Sequence, residues 1–323
     1  MAQIVLGLAS SHSPMLSAPV EQWTAGFGAK DALDARLGDF QELRRQNGAR
    51  VAQELTPERL QERHAAVQRG LASIAATLTR VAPDAVVIVG DDQYELFRED
   101  HVPAINVYWG ETIERVPIQL DNVPAFRRSA MWAYYPERPE NYACEAALGR
   151  HVIESLIKRG FDVSHTTAVP ADREIGHAFT FVVRRLMMDR VIPQVPLMLN
   201  TYYPPTQPTL RRCYALGRAL REAIESWGEK KSVAIIASGG LSHFVLDEEL
   251  DRGMLAAMER KDTAGICGWP ESKFQLGSSE IKTWVVLAGA MEESALQMRL
   301  LNYLPCYRSD GGTGVGAAFA KWI

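Results

Sequence analysis

Four side chains in this sequence carry groups that could do chemistry together: His12, His177, His243 and Glu280. Each lies where an apolar run ends or a helical pattern begins. The clearest case is VAIIASGGLSHF, residues 233–244. Its apolar half reads as a buried strand, its two glycines allow a sharp turn with close backbone approach, and His243 arrives at the strand's carboxyl end, where open α/β sheets place their ligands. His12 follows the apolar run Ile4–Ala9 and precedes Pro14, which stops the strand. His177 falls in the opening turn of a helical pattern over 175–188, and Glu280 in the first turn of another over 278–291. A further apolar run, Ala85–Val89, empties into Gly90-Asp91-Asp92-Gln93-Tyr94-Glu95, again a concentration of polar groups at a strand end.

Two histidines and a carboxylate with open positions form the ligand set of non-haem Fe(II) oxygenases. A further histidine beside such a site can move protons near neutral pH. The spacing fits a set of unrelated structural histidines equally well, and an acid in a first helical turn is often only a favourable charge against the helix dipole. His64 lies on the apolar stripe of its helix and reads as a packed residue, whereas His101, His151 and His165 read as solvent-facing.

The elements that must position these groups alternate along the chain. Thr56-Pro57 caps a long amphipathic helix with Leu60, Val67, Leu71, Ile74 and Leu78 on one stripe. Helices are also predicted over 144–159, closed by Gly160, over 209–227 and over 247–260, with strands over 104–108, 162–167 and 195–200. This order predicts an α/β fold in a single large domain, 1–323, with a central mixed, largely parallel sheet flanked by helices. Residues 18–55 are more polar, with a helical patch near 31–45, and read as an insertion over the end of the first strand. The segment 102–142 holds Trp109, Trp132, Tyr134, Tyr135 and Tyr142, which either wall an aromatic pocket or pack the core. The tail reads as a strand over 298–305 and a glycine-rich closing segment over 311–319.

Composition narrows the function classes. With 47% hydrophobic and 23% charged residues in a 323-residue chain, a substantial core is expected. The formal charge of −4 comes with no basic block, which weighs against nucleic acid or an anionic membrane as partner and in favour of small-molecule chemistry. Four scattered cysteines show neither metal nor disulfide spacing and suit reduced thiols in a cytoplasmic protein. No signal peptide and no bilayer-spanning run are read from the sequence. A homo-oligomer is the default expectation for a soluble enzyme.

SSHSPML, the strand running into Asp-Asp-Gln, Gly176-His177, SGGLSHF and SSEIKTW follow the order seen in class III extradiol ring-cleaving dioxygenases. The chain resembles, nearly end to end, the catalytic B-type subunit of the protocatechuate 4,5-dioxygenase superfamily. In SGGLSH and EIKTW it is also similar to 2,3-dihydroxyphenylpropionate dioxygenases, while residues 18–55 fall outside the resemblance. The resemblance implies cleavage of a catechol-like ring with O2 at Fe(II). It matches His12 and Glu280 to two of three iron ligands, His243 to an acid/base histidine, and His177 to a histidine lining the pocket. The departure is at the third ligand, where the family reads Asp-His and this chain reads Asp92-Gln93. Three outcomes stay open: Gln93 ligates through its amide oxygen, Glu95 replaces it from the same strand face, or metal is bound poorly. Two other functions stay open with them, a divergent metal-dependent lyase or hydrolase acting on a related aromatic compound and a metal-poor structural subunit of a dioxygenase complex. Some family members work with a small helical subunit; no segment here resembles it, so it would be a separate partner.

Overall fold

The apolar runs become the middle of one sheet. The computed structural model describes residues 1–188 and 190–323. Its strands are β1 (Gln3–Ser10), β2 (Ala85–Asp91), β3 (Ile105–Tyr108), β4 (Thr112–Arg115), β5 (Glu140–Ala143), β6 (Ser164–Thr166), β7 (Gln194–Leu199), β8 (Ser232–Ser238), β9 (Met298–Tyr307) and β10 (Gly314–Trp322). Eight of them form a sheet in the order β6-β3-β7-β2-β8-β1-β10-β9, and β4 pairs with β5 separately. The central strands β7, β2, β8 and β1 run parallel, while β10 and β9 extend the sheet antiparallel beside β1. The mixed, mostly parallel sheet expected from the strand–helix alternation is the one found.

Parallel strands buried on both faces need apolar residues at every position, and β2 shows why. Val87 and Val89 enter one hydrophobic cluster, and Val86 and Ile88 enter the other, because successive side chains point to opposite faces. Helices Ala146–Lys158, Leu210–Glu225, Glu248–Glu259 and Ile281–Met291 cover the first face. The second is covered by Pro57–Val81 and by the helical segment from His177 to Met187. The caps that set these helices are legible in the chain. Thr56 Oγ1 accepts from the Arg59 amide, and Thr209 Oγ1 from the Arg212 amide.

Helices Leu210–Glu225 and Ile281–Met291 approach so closely that glycine is required at the crossing. A Cβ at Gly217 would stand 1.9 Å from the Val286 carbonyl oxygen, and one at Gly289 would stand 2.1 Å from the Tyr214 carbonyl oxygen. Both obstacles are backbone, so only a shift of a whole helix relieves them. Gly217→Ala is therefore expected to destabilise the protein by about 3 kcal/mol, the upper end of overpacking costs, despite alanine's helix advantage of about 1 kcal/mol. A urea midpoint equal to that of the wild type would contradict it.

Two expectations shift. The helix read near 31–45 starts later, at Phe40–Val51, because Asp39 caps it by accepting from the amides of Gln41 and Glu42. The closing glycine-rich segment is a full strand, β10, which reaches Trp322 and pairs with both β1 and β9. No described helix is long and apolar enough to cross a membrane.

Candidate active site

Strands β1, β2 and β8 lie side by side, and their carboxyl ends open at one edge of the sheet. That topology brings His12, Asp91 and Ser238 together from three distant stretches of sequence. His12 is buried, and its Nδ1 lies 3.0 Å from Ser238 Oγ. Ser238 Oγ donates its own proton to the Ala178 carbonyl at 2.7 Å. The hydroxyl must therefore accept from His12 Nδ1–H, which fixes the tautomer and leaves Nε2 bare. That Nε2 faces Glu280 Oε2 at 3.2 Å, Asp91 Oδ1 at 3.7 Å and His177 Nε2 at 3.2 Å. Tyr134 donates its hydroxyl to the His12 carbonyl and so holds the residue from behind.

Glu280 ends the short helical turn Leu276–Glu280 and leads into the helix Ile281–Met291. Its Oε2 accepts from the Gly240 amide at 2.8 Å, and its Oε1 lies 3.3 Å from both His243 Nε2 and Gln93 Nε2. The two glycines of the 233–244 motif have a steric reason. A Cβ at Gly239 would meet Thr283 Oγ1 at 2.6 Å, and one at Gly240 would meet the His243 ring at 2.4 Å. His243 Nδ1–H donates to the Leu241 carbonyl at 2.7 Å, so the ring orientation is set by its own turn. Burial alone would push Glu280 up, but chiefly His243 holds it well below the usual carboxylate range. Burial alone would lower His243, and Glu280 raises it instead.

Gln93 and Glu95 lie beyond the end of β2, in a turn where Tyr94 takes φ +65°, so strand parity does not relate their side chains. Gln93 presents its amide nitrogen, 3.1 Å from Asp91 Oδ2 and 3.3 Å from Glu280 Oε1. Glu95 stands behind His177, where its Oε1 accepts from His177 Nδ1 at 2.7 Å and from the His177 amide at 3.0 Å. Burial opposes the pair from both sides, yet the contact holds Glu95 down at about 2 and lifts His177 to about 9. Asp92, the neighbour of Asp91, does different work: its oxygens accept from the amides of Leu96 and Phe97 and shape the turn.

Asp91 is the residue that the sequence did not single out. It is fully buried, and its Oδ1 has no hydrogen-bond partner among the described residues. Burial, then the nearby Glu280, pushes its carboxyl up. A buried carboxylate oxygen without a hydrogen-bond donor is costly unless a cation meets it. His12, Asp91 and His177 each offer a ligand atom within 4.8 Å of the others, with Glu280 on the same His12 nitrogen. Imidazole nitrogens and carboxylates converging from several elements suit a divalent metal ion, so the residues present fit one. The signal available in the sequence was an acid closing an otherwise apolar buried strand, VVIVGD.

A cavity of about 240 Å³ opens beside the cluster, lined by His12, Gln93, His177, His243 and Glu280 among others. Its volume lies below the roughly 300–1,000 Å³ of drug-sized sites, which suits a single ring. The segment read as an insertion supplies part of the wall through Phe27, Lys30, Asp31 and Arg36. A buried two-point ion pair fastens that segment to the core, with Arg308 Nε and Nη2 at 2.6 and 2.9 Å from the Asp31 carboxylate. Of the aromatic residues in 102–142, Tyr134 reaches the cluster, Tyr135 bonds to Glu174, and Trp132 is largely exposed.

Residues 50–319 match the family described as the catalytic LigB subunit of aromatic ring-opening dioxygenase. The chain is 33% identical over 180 residues to a gallate dioxygenase of Pseudomonas putida, covering 50% of this chain and 49% of that protein. It is 26% identical over 180 residues to a 2,3-dihydroxyphenylpropionate/2,3-dihydroxicinnamic acid 1,2-dioxygenase of Comamonas testosteroni, covering 55% of this chain and 49% of that one. The chain spans about half the length of the curated relatives it matches.

Proposed function

The chain belongs to the family of the catalytic LigB subunit of aromatic ring-opening dioxygenases, and we propose that it opens the ring of a catechol-like compound with O2 at a single Fe(II). The metal ligands in this reading are His12, Asp91 and Glu280. One observation carries it: the buried Asp91 Oδ1 has no hydrogen-bond partner among the described residues and lies 3.7 Å from a His12 nitrogen whose tautomer leaves it free to bind. Asp91 then supplies the third donor that Asp92-Gln93 does not, and the Gln93 amide steadies Asp91 and Glu280 from outside the ligand set.

When bound, the metal would gather the ring oxygens and O2 at one centre and stabilise the negative charge that develops there. The chain's own groups do the rest. His243 lines the cavity, with Nδ1 committed to the Leu241 carbonyl and Nε2 3.3 Å from Glu280 Oε1; it takes a proton from a ring hydroxyl and returns one later. His177, oriented by Glu95, faces the reactants across the cluster and donates a hydrogen bond to them. Phe27 and Phe244 on the cavity wall exclude water from the ring.

Metal analysis of protein purified without air, together with O2 uptake on a panel of catechols, tests the reading. About one iron per chain with catechol-dependent uptake is expected. Iron-loaded protein that consumes no O2 with any catechol would overturn ring opening, and recovery of uptake only on adding a small second subunit would show that the chain works with a partner.

A further inference from the structure

Asp251 is a buried acid outside the cluster, in the first turn of the helix Glu248–Glu259. Three donors converge on its carboxylate. Oδ1 accepts from the Ser242 amide at 2.8 Å, and Oδ2 accepts from the Ser242 and Tyr303 hydroxyls, each at 2.8 Å. The Ser242 hydroxyl itself accepts from the Asp247 amide at 2.9 Å, so its proton is left for Asp251. Burial pushes the Asp251 carboxyl up to about 6, and the donors from Ser242 and Tyr303 pull against it, which leaves an ionised acceptor at pH 7.

The place is built for this acid. A Cβ at Gly316 of β10 would stand 2.2 Å from Asp251 Oδ2, so only glycine lets the strand lie against the carboxylate. Gly316 also holds the turn through its backbone, accepting from the Leu241 amide at 3.1 Å and donating to the Ser242 carbonyl at 2.8 Å. The two groups that remain, the Leu241 carbonyl and the Ser242 amide, belong to one peptide unit. Asp251 holds its N–H, and its carbonyl accepts from His243 Nδ1–H at 2.7 Å. A peptide unit is planar and trans, so its N–H and C=O point opposite ways. Carboxylate, peptide and imidazole thus form one hydrogen-bonded chain, in which charge at one end polarises the bonds that follow. Asp251 fixes the plane of the carbonyl that sets the His243 ring and strengthens it as an acceptor.

We propose that Asp251 is a positioning residue for His243, acting through the Leu241–Ser242 peptide to hold the imidazole in the orientation and tautomer that proton transfer requires. The proton-transfer part rests on the ring-opening reading; the hold on the ring does not.

The test compares wild type, Asp251→Asn and Asp251→Ala, each alone and combined with His243→Gln, as full-length protein. In proton NMR of chelator-treated samples, the imidazole N–H signal that is absent from His243→Gln reports the ring. It is expected to move upfield in Asp251→Asn, which keeps an acceptor and loses the charge, and to be lost to exchange with water in Asp251→Ala. In O2 uptake on catechol, kcat is expected to fall about 10-fold in Asp251→Asn and about 100-fold in Asp251→Ala, with KM and iron content unchanged. On the His243→Gln background neither substitution is expected to lower kcat further, since the effect runs through the imidazole. A fall in kcat that persists on that background, or one matched by a rise in KM and a loss of iron, would make Asp251 a structural residue only and overturn the proposal. An imidazole signal and a kcat both unchanged in Asp251→Asn would overturn it as well, and this variant decides the matter if alanine does not fold. A His243 signal that depends on Asp251 in protein that consumes no O2 with any catechol would support the hold on the ring and overturn ring opening alone.

Discussion

Asp91→Ala, purified without air, is expected to hold far less than one metal ion per chain and to show O2 uptake at background. Altering groups that merely support a ligand costs about 10- to 100-fold in metal affinity, so removing a ligand should cost at least the upper end of that range. The same substitution is expected to stabilise the metal-free protein against heat. Asp91 is fully buried with one oxygen unpartnered among the described residues, and deleting a poorly compensated buried acid removes its desolvation cost, on the order of 1–3 kcal/mol. Loss of metal combined with a gain in metal-free stability is a signature that a purely structural aspartate would not give. Gln93→Ala supplies the contrast. In this reading it loosens two hydrogen bonds to carboxylates and leaves metal bound, whereas loss of metal in Gln93→Ala with retention in Asp91→Ala would transfer the ligand role to Gln93.

The fold was legible where local rules and tertiary structure agree. VVIVGD and VAIIAS announce strands covered on both faces, and Thr56-Pro57 and Thr209 announce helix starts that the structure places within a residue or two. The site was legible only in part. His12, His177, His243 and Glu280 stand out because polar groups with catalytic potential follow apolar runs, and all four come together around one cavity. Asp91 and Asp92 are identical in type and adjacent, and composition cannot separate them. Only the exit of β2 turns Asp91 toward His12 and Asp92 toward the amides of Leu96 and Phe97. Glu95 read as a strand-face neighbour of Gln93 because the turn at Tyr94 carries no glycine to mark it. That the segment 18–55 walls the cavity was not legible, because its anchor, the Asp31–Arg308 pair, joins residues 277 positions apart, a distance over which no local pattern operates.

His243→Ala is expected to keep its metal and lose turnover by about 100- to 10,000-fold, the usual worth of a positioned acid/base group. Metal retention follows from geometry. Glu280 keeps its hydrogen bond from the Gly240 amide at 2.8 Å and its contact with Gln93 at 3.3 Å when the imidazole is gone, and His12 and Asp91 do not touch His243 among the contacts described. The ring is closely seated, since a Cβ at Gly240 or Gly277 would come within 2.4 or 2.5 Å of it. Alanine therefore leaves a void, and a collapse of the turn could imitate a chemical loss. His243→Gln separates the two cases, because it fills much of the volume and offers a hydrogen-bonding amide but cannot exchange a proton near neutral pH. If both variants bind metal and an unreactive phenol as the wild type does while kcat falls in each, proton transfer through His243 accounts for the loss. Restoration of turnover by glutamine would instead make His243 a packing and hydrogen-bonding residue, and unchanged turnover in both would remove it from the mechanism.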